Sequence, residues 1–249
     1  MFSKPLEKYI NSLRVKKYRE EQHTFIAEGE KVVGEILNSE LVIDKILFTD
    51  GLKNKGMMMG KLPEEHLIVV LEHEMKKVSE MQTPPTIMAL VHIPENDIDI
   101  KKITIGLHLV LDGIQDPGNM GTIIRIADWF GIATIFCSEN CVDAYNPKVV
   151  QASMGSIARV NIVERNIIDL LKETSLPKIL SVMDSENTIY NSTIKENAMI
   201  VIGSEGRGVT DEVKLLCTHT LSIPRFGKAE SLNAAVATGI ICAALSVKK

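Results

Sequence analysis

The second half of this chain repeats one pattern. Strand-like apolar runs recur at residues 107–111, 134–137, 179–182, 199–202 and 220–223, and the first four are continuous rather than alternating. A strand with one wet face alternates apolar and polar side chains; a strand without alternation must be covered on both faces. Helical patterns lie between the runs, at about 120–130, 147–156, 166–173 and 210–217, with Asn166 and Thr210 as suitable N-caps. A final helix over 231–246 is apolar almost all round and is expected to be deeply buried. The reading is an α/β fold built on a parallel sheet.

A polar, charged segment beginning at Pro94 (PENDIDIKK) separates this half from a different region and reads as a linker. The expected domains are 1–93 and 105–249, joined through 94–104. A length of 249 residues allows two such domains. In the first, 4–37 reads as helical with a break near 22–24, followed by strands at 43–49, 66–71 and 86–92 and a short helix over 72–81. That alternation predicts a small α/β sandwich. Met57, Met58 and Met59 lie between glycines and read as a loop, with a Met-rich contact surface as second choice.

The net charge of −4 gives no overall basic field, but nucleic-acid binding needs only a local patch. Six basic residues face Glu7 alone in the first nineteen: Lys4, Lys8, Arg14, Lys16, Lys17 and Arg19. They form either a phosphate-binding patch or the solvated face of a first helix. Cys137 and Cys141 stand four apart with no second pair or histidine couple nearby, so no zinc site is expected. The four cysteines read as buried, reduced thiols. No signal peptide and no membrane-length apolar run is seen, and a soluble cytoplasmic protein is expected.

Three separated segments carry chemistry: 112–131, 201–208 and 223–245. Each begins as a glycine-bearing loop after an apolar run, where α/β proteins place ligand sites. They hold Asn119 with Arg125, then Glu205, then Ser231 with Asn233. Each has a plain alternative: Asp116-Pro117-Gly118-Asn119 is a competent turn, 203–208 a flexible connection, and Ser231 a helix N-cap. Neither GxxxxGK[ST] nor a GxGxxG after the first strand is present, which weakens kinase, GTPase and nicotinamide readings.

Together the segments resemble the three motifs of the SpoU (TrmH) family of RNA 2′-O-ribose methyltransferases, within the SPOUT superfamily. The N-x-G-x-x-x-R pattern is met by Asn119, Gly121 and Arg125. A Gly-Glu-Gly core is similar to Gly203-Ser204-Glu205-Gly206. The third motif is matched by Ile223-Pro224, Gly227 and Ser231-Leu232-Asn233, and residues 152–156 (ASMGS) also look like the family. The likeness covers residues 107–249. A weaker one, at 25–29 (FIAEG) and 83–85 (TPP), links the first domain to the family's substrate-binding domain. Arg225 stands where the family often has Met, and Ala234-Ala235 where it often has Val-Ser.

The resemblance implies a deep trefoil knot, S-adenosylmethionine as cofactor, RNA as substrate, a homodimer and no metal. It assigns the cofactor to Ile202, Gly203, Glu205, Ile223, Ser231 and Leu232. It assigns catalysis to Arg125, Asn119, Glu205, Ser231 and Asn233, with the base role often given to the arginine. A guanidinium holds its proton, so the plainer role for Arg125 is gripping phosphate or stabilising a developing alkoxide. Lys16, Lys17 and Arg19 are the candidate RNA contacts beside Arg125. Arg225 is a further RNA or cofactor contact, or a surface arginine without a role. Ribosomal RNA is the expected substrate. Transfer RNA, a resistance methylase acting on the ribosome, and a non-catalytic ribosome-assembly factor are the alternatives.

Overall fold

The computed structural model describes residues 2–53, 55–57, 60–95, 98–193, 197–204 and 206–246. Its first elements are α1 (Lys4–Ser12), α2 (Lys16–Gln22), β1 (Thr24–Glu28), α3 (Glu30–Leu37), β2 (Ile43–Phe48), β3 (Leu67–Val69), α4 (Glu72–Val78) and β4 (Ile87–His92). Then come β5 (Leu107–Asp112), α5 (Pro117–Trp129), β6 (Thr134–Cys137), α6 (Pro147–Ala152), β7 (Asn161–Glu164) and α7 (Ile167–Glu173). The last are β8 (Lys178–Val182), β9 (Ala198–Gly203), α8 (Asp211–Leu216), β10 (His219–Ser222) and α9 (Ala234–Leu245). The chain forms two compact units, Met1–Glu95 with Asp143–Ala158, and Asn96–Val142 with Arg159–Lys249.

The first unit holds a four-stranded sheet in the order β1-β4-β2-β3. β4 runs antiparallel to both β1 and β2, while β3 is parallel to β2. The expected helical stretch over 4–37 is corrected here: it is broken by β1, whose five residues are all buried. His23 takes a left-handed conformation (φ 45°) that ends α2 and turns the chain into Thr-Phe-Ile-Ala, residues suited to a strand. Ile10, Leu13, Ile26, Leu47, Met88 and Leu90 form the core. α6 packs against β1. After it, Met154 and Gly155 both have positive φ (54° and 96°), and a Cβ on Gly155 would sit 2.7 Å from the Glu35 Cβ.

The second unit is a six-stranded, all-parallel sheet in the order β10-β8-β9-β5-β6-β7. Val110, Phe136, Leu180, Met199 and Val201 are buried with Leu170 of α7 and Val213 of α8. The edge strand β7 was absent from the sequence reading because only Ile162 and Val163 of its four residues are buried, too short an apolar run to stand out. α9 packs against α5 and β9. Its expected deep burial is also corrected: one face is covered, whereas Val236 and Ala243 are exposed. The thiols of Cys137, Cys141 and Cys242 are buried and free; Cys217 is half-buried. Among the described residues no helix is long and apolar enough to cross a membrane.

Candidate active site

β5 and β9 are neighbours, level at Asp112 and Gly203. From β5 the chain builds outward through β6 and β7, then returns to the other side for β8, β9 and β10. Such a reversal leaves a crevice at the strands' carboxyl ends. A cavity of about 580 Å³ lies there. One wall is 112–116 with Asn119; Asn140 adds to it, and Ser204 with 206–210 faces it.

Local chemistry shapes both walls. Asp116 caps α5, its Oδ1 accepting from the Asn119 N–H at 2.7 Å, with Pro117 at the first helical position. Across the crevice, Ser204 and Gly208 exchange backbone hydrogen bonds of 3.1 and 2.9 Å, closing a tight loop. Gly203 has no room for a side chain, since a Cβ would lie 2.3 Å from the Gly208 carbonyl carbon. Asp112 is 8% exposed and accepts from the Thr210 N–H at 3.3 Å, tying the two loops together. Among the described residues its other oxygen has no partner.

The first and third segments meet directly. The Asn233 side-chain amide donates to Asn119 Oδ1 at 2.7 Å. The same Asn233 caps α9, accepting from the Ala235 and Val236 N–H groups at 3.0 and 3.2 Å. Asn233 therefore takes the cap role that the sequence offered to Ser231. Ser231 and Leu232 are exposed just before the helix, Ile202 is buried near the end of β9, and Ile223 is half-buried after β10. Arg225 is exposed and bonds back to Ala229 O of its own loop at 3.3 Å. Arg125 is exposed on α5, makes no hydrogen bond or ion pair with a described residue, and does not line the cavity. Glu205 lies outside the described residues.

Among the basic candidates, Lys16 is half-buried and Lys17 exposed, each with a glutamate one turn on, at 3.5 and 3.8 Å. Arg19 is a correction. It is 2% exposed, and its guanidinium bonds Asp143 and, at 2.7 Å, Leu13 O. A buried arginine so engaged is not available to phosphate. Sequence reading gave no role to Asp112, Gln115, Asn140 or Arg207, which line the cavity. The aspartate-glycine pair closing the apolar run at 107–111 was the available signal.

Comparison with known proteins bears on this geometry. The family model described as "SpoU rRNA Methylase family" matches residues 106–243, more than half of the chain. The chain belongs to the SpoU rRNA methylase family. Residues 4–89 match a second model, "MRM3-like substrate binding domain". A 23S rRNA (guanosine(2553)-2′-O)-methyltransferase, RlmP of Bacillus subtilis, is 31% identical over 92% of this chain and 91% of its own. Among solved structures, a TrmH-family protein from Porphyromonas gingivalis is 36% identical, covers 98% of both chains and superposes with a TM-score of 0.87. The SpoU methyltransferase AviRb of Streptomyces viridochromogenes, solved with AdoMet, shares the fold at TM-score 0.87 and 21% identity, over 98% of this chain and 97% of its own.

Proposed function

We propose that this chain is an S-adenosylmethionine-dependent RNA 2′-O-ribose methyltransferase acting on ribosomal RNA. The observation that carries the reading is the Asn119–Asn233 hydrogen bond, which joins two family motifs beside the crevice at the β5/β9 switch point. The family name and the Bacillus subtilis relative favour ribosomal over transfer RNA.

The strand ends suit the cofactor. Gly203 sits where any side chain would collide with the loop that follows, leaving backbone as the approachable surface. Ile202, Gly203, Ile223, Ser231 and Leu232, with Glu205, are the residues assigned to hold it, within the knot the family implies. When bound, it supplies a methyl group on a sulfonium. The chain's own residues then do three things. Asn119, held by Asn233 and by the Asp116 cap, offers a fixed amide to orient the ribose. Arg125 presents an exposed cation for RNA phosphate or for the 2′-oxygen as it gains charge. The loops after β5 and β9 supply the walls of the recess in which the ribose and the cofactor are brought together.

Residues 1–93 are proposed as the RNA-selecting domain, with Lys16 and Lys17 as its phosphate contacts and 94–104 as linker. A homodimer is supported by the apolar surface left on α5 and α9, where Trp129 is 85% and Val236 51% exposed. Arg125 stands outside the cavity of one chain, and a partner could bring it to the ribose. Arg125→Ala should abolish methyl transfer with an unchanged circular dichroism spectrum. Near-normal turnover would remove Arg125 from the chemistry.

A further inference from the structure

The helix that carries Arg125 holds two charges, and they stand one turn apart. Arg125 is the one cation among the 13 residues of α5, and Asp128 is the one anion. Residues three apart on a helix are surface neighbours, so an arginine and an aspartate in these places attract each other. Yet no hydrogen bond or ion pair joins them. Arg159, two residues before β7, takes the carboxylate instead. Its Nε donates to both oxygens of Asp128 at 3.0 Å, and its Nη2 donates to Oδ2 at 2.8 Å.

Asp128 needs a cation from outside its helix. It lies in the last turn of α5, where the carbonyl end repels negative charge and no basic residue of that turn offsets it. Its side chain is 24% exposed, so salt and water screen the charge only in part. Arg159 comes from 31 positions further along the chain and meets the carboxylate with a planar fork, the geometry that makes arginine–carboxylate bonds strong. The cation left over is Arg125, exposed and unpaired.

We propose that Arg159 is a positioning residue for methyl transfer: by occupying Asp128 it keeps the Arg125 guanidinium open to RNA. Without Arg159, the Asp128 carboxylate turns to the nearest cation on its own helix, one turn back. An RNA phosphate or a 2′-oxygen gaining charge then has to displace it. The inference rests on the reading of Arg125 as the residue that meets RNA. It differs from a plain structural clamp in one respect. A clamp is broken equally by loss of either partner, whereas here the harm comes from the carboxylate that is set free.

Three full-length variants test this: Arg159→Ala, Asp128→Asn and the two combined. Phenylglyoxal modification of the cofactor-free protein, followed by peptide mass mapping, reports whether the Arg125 guanidinium is free. Methylation of ribosomal RNA reports turnover. In Arg159→Ala both the modification of Arg125 and turnover should fall by about twofold or more, the weight of an ion pair three residues apart on a helix surface. Asp128→Asn should match the native protein in both, and the double variant should recover both. Should Arg159→Ala fail to fold, Arg159→Gln is read in its place. Asp128→Asn falling alongside Arg159→Ala with no recovery in the double variant would overturn the proposal, and so would unchanged Arg125 reactivity and turnover in Arg159→Ala. If the native protein transfers no methyl group, the functional reading fails, and the phenylglyoxal series still decides whether Arg159 keeps Arg125 free.

Discussion

Asn233 caps α9 with its side-chain oxygen and holds Asn119 with its amide. Two substitutions separate these roles. Asn233→Ala should cost about 0.5–2 kcal/mol of stability through the lost cap, and also activity. Asn233→Ser keeps a cap but cannot reach Asn119. Its thermal unfolding should stay close to that of the native protein, while turnover drops by one to two orders of magnitude, as roughly 1 Å of misplacement does. Equal turnover in Asn233→Ser and the native chain would deny the hydrogen bond a role. Arg19 gives the opposite case. Arg19→Met leaves Asp143 without its partner and should cost about 3–5 kcal/mol in denaturant titrations. At this scale the sequence was readable where polar residues stood in glycine loops, as Asn119 and Asn233 do. It was unreadable where a charge turned inward. Arg19 sits in a charged helix, and the aspartate that explains it is 124 residues away.

Among the elements, strand ends were more legible than helix faces. The apolar runs at 107–111, 134–137 and 199–202 became β5, β6 and β9 within a residue or so, because burial on both faces leaves no alternation to misread. β1 hid between helical patterns, since five residues do not establish a period. The loop after β9 was legible by its glycines, yet the reason for Gly203 is the backbone of Gly208 against it. Backbone cannot swing aside as a flexible side chain can. Gly203→Ala should therefore abolish S-adenosylmethionine binding in calorimetry while the far-ultraviolet spectrum keeps its α/β form. Undiminished binding would mean that the loop tolerates rearrangement.

For the whole molecule, the uncovered apolar face of α9 and the exposed Trp129 predict association. Val236→Lys should convert a dimer to monomer in analytical ultracentrifugation, with a shift in emission from the chain's one tryptophan. A native monomer at micromolar concentration would refute the dimer. Charge reversal at Lys16 and Lys17 should weaken RNA binding and flatten its dependence on salt, whereas unchanged affinity would return both to their ion pairs with Glu20 and Glu21. The central claim is tested most directly by incubating the full-length protein with S-adenosylmethionine carrying a labelled methyl group and ribosomal RNA free of modification, then digesting the RNA to nucleosides for mass spectrometry. The label is predicted on a ribose 2′-oxygen and absent with Arg125→Ala. Label on a base, or no transfer from a protein that binds both ligands, would contradict the account.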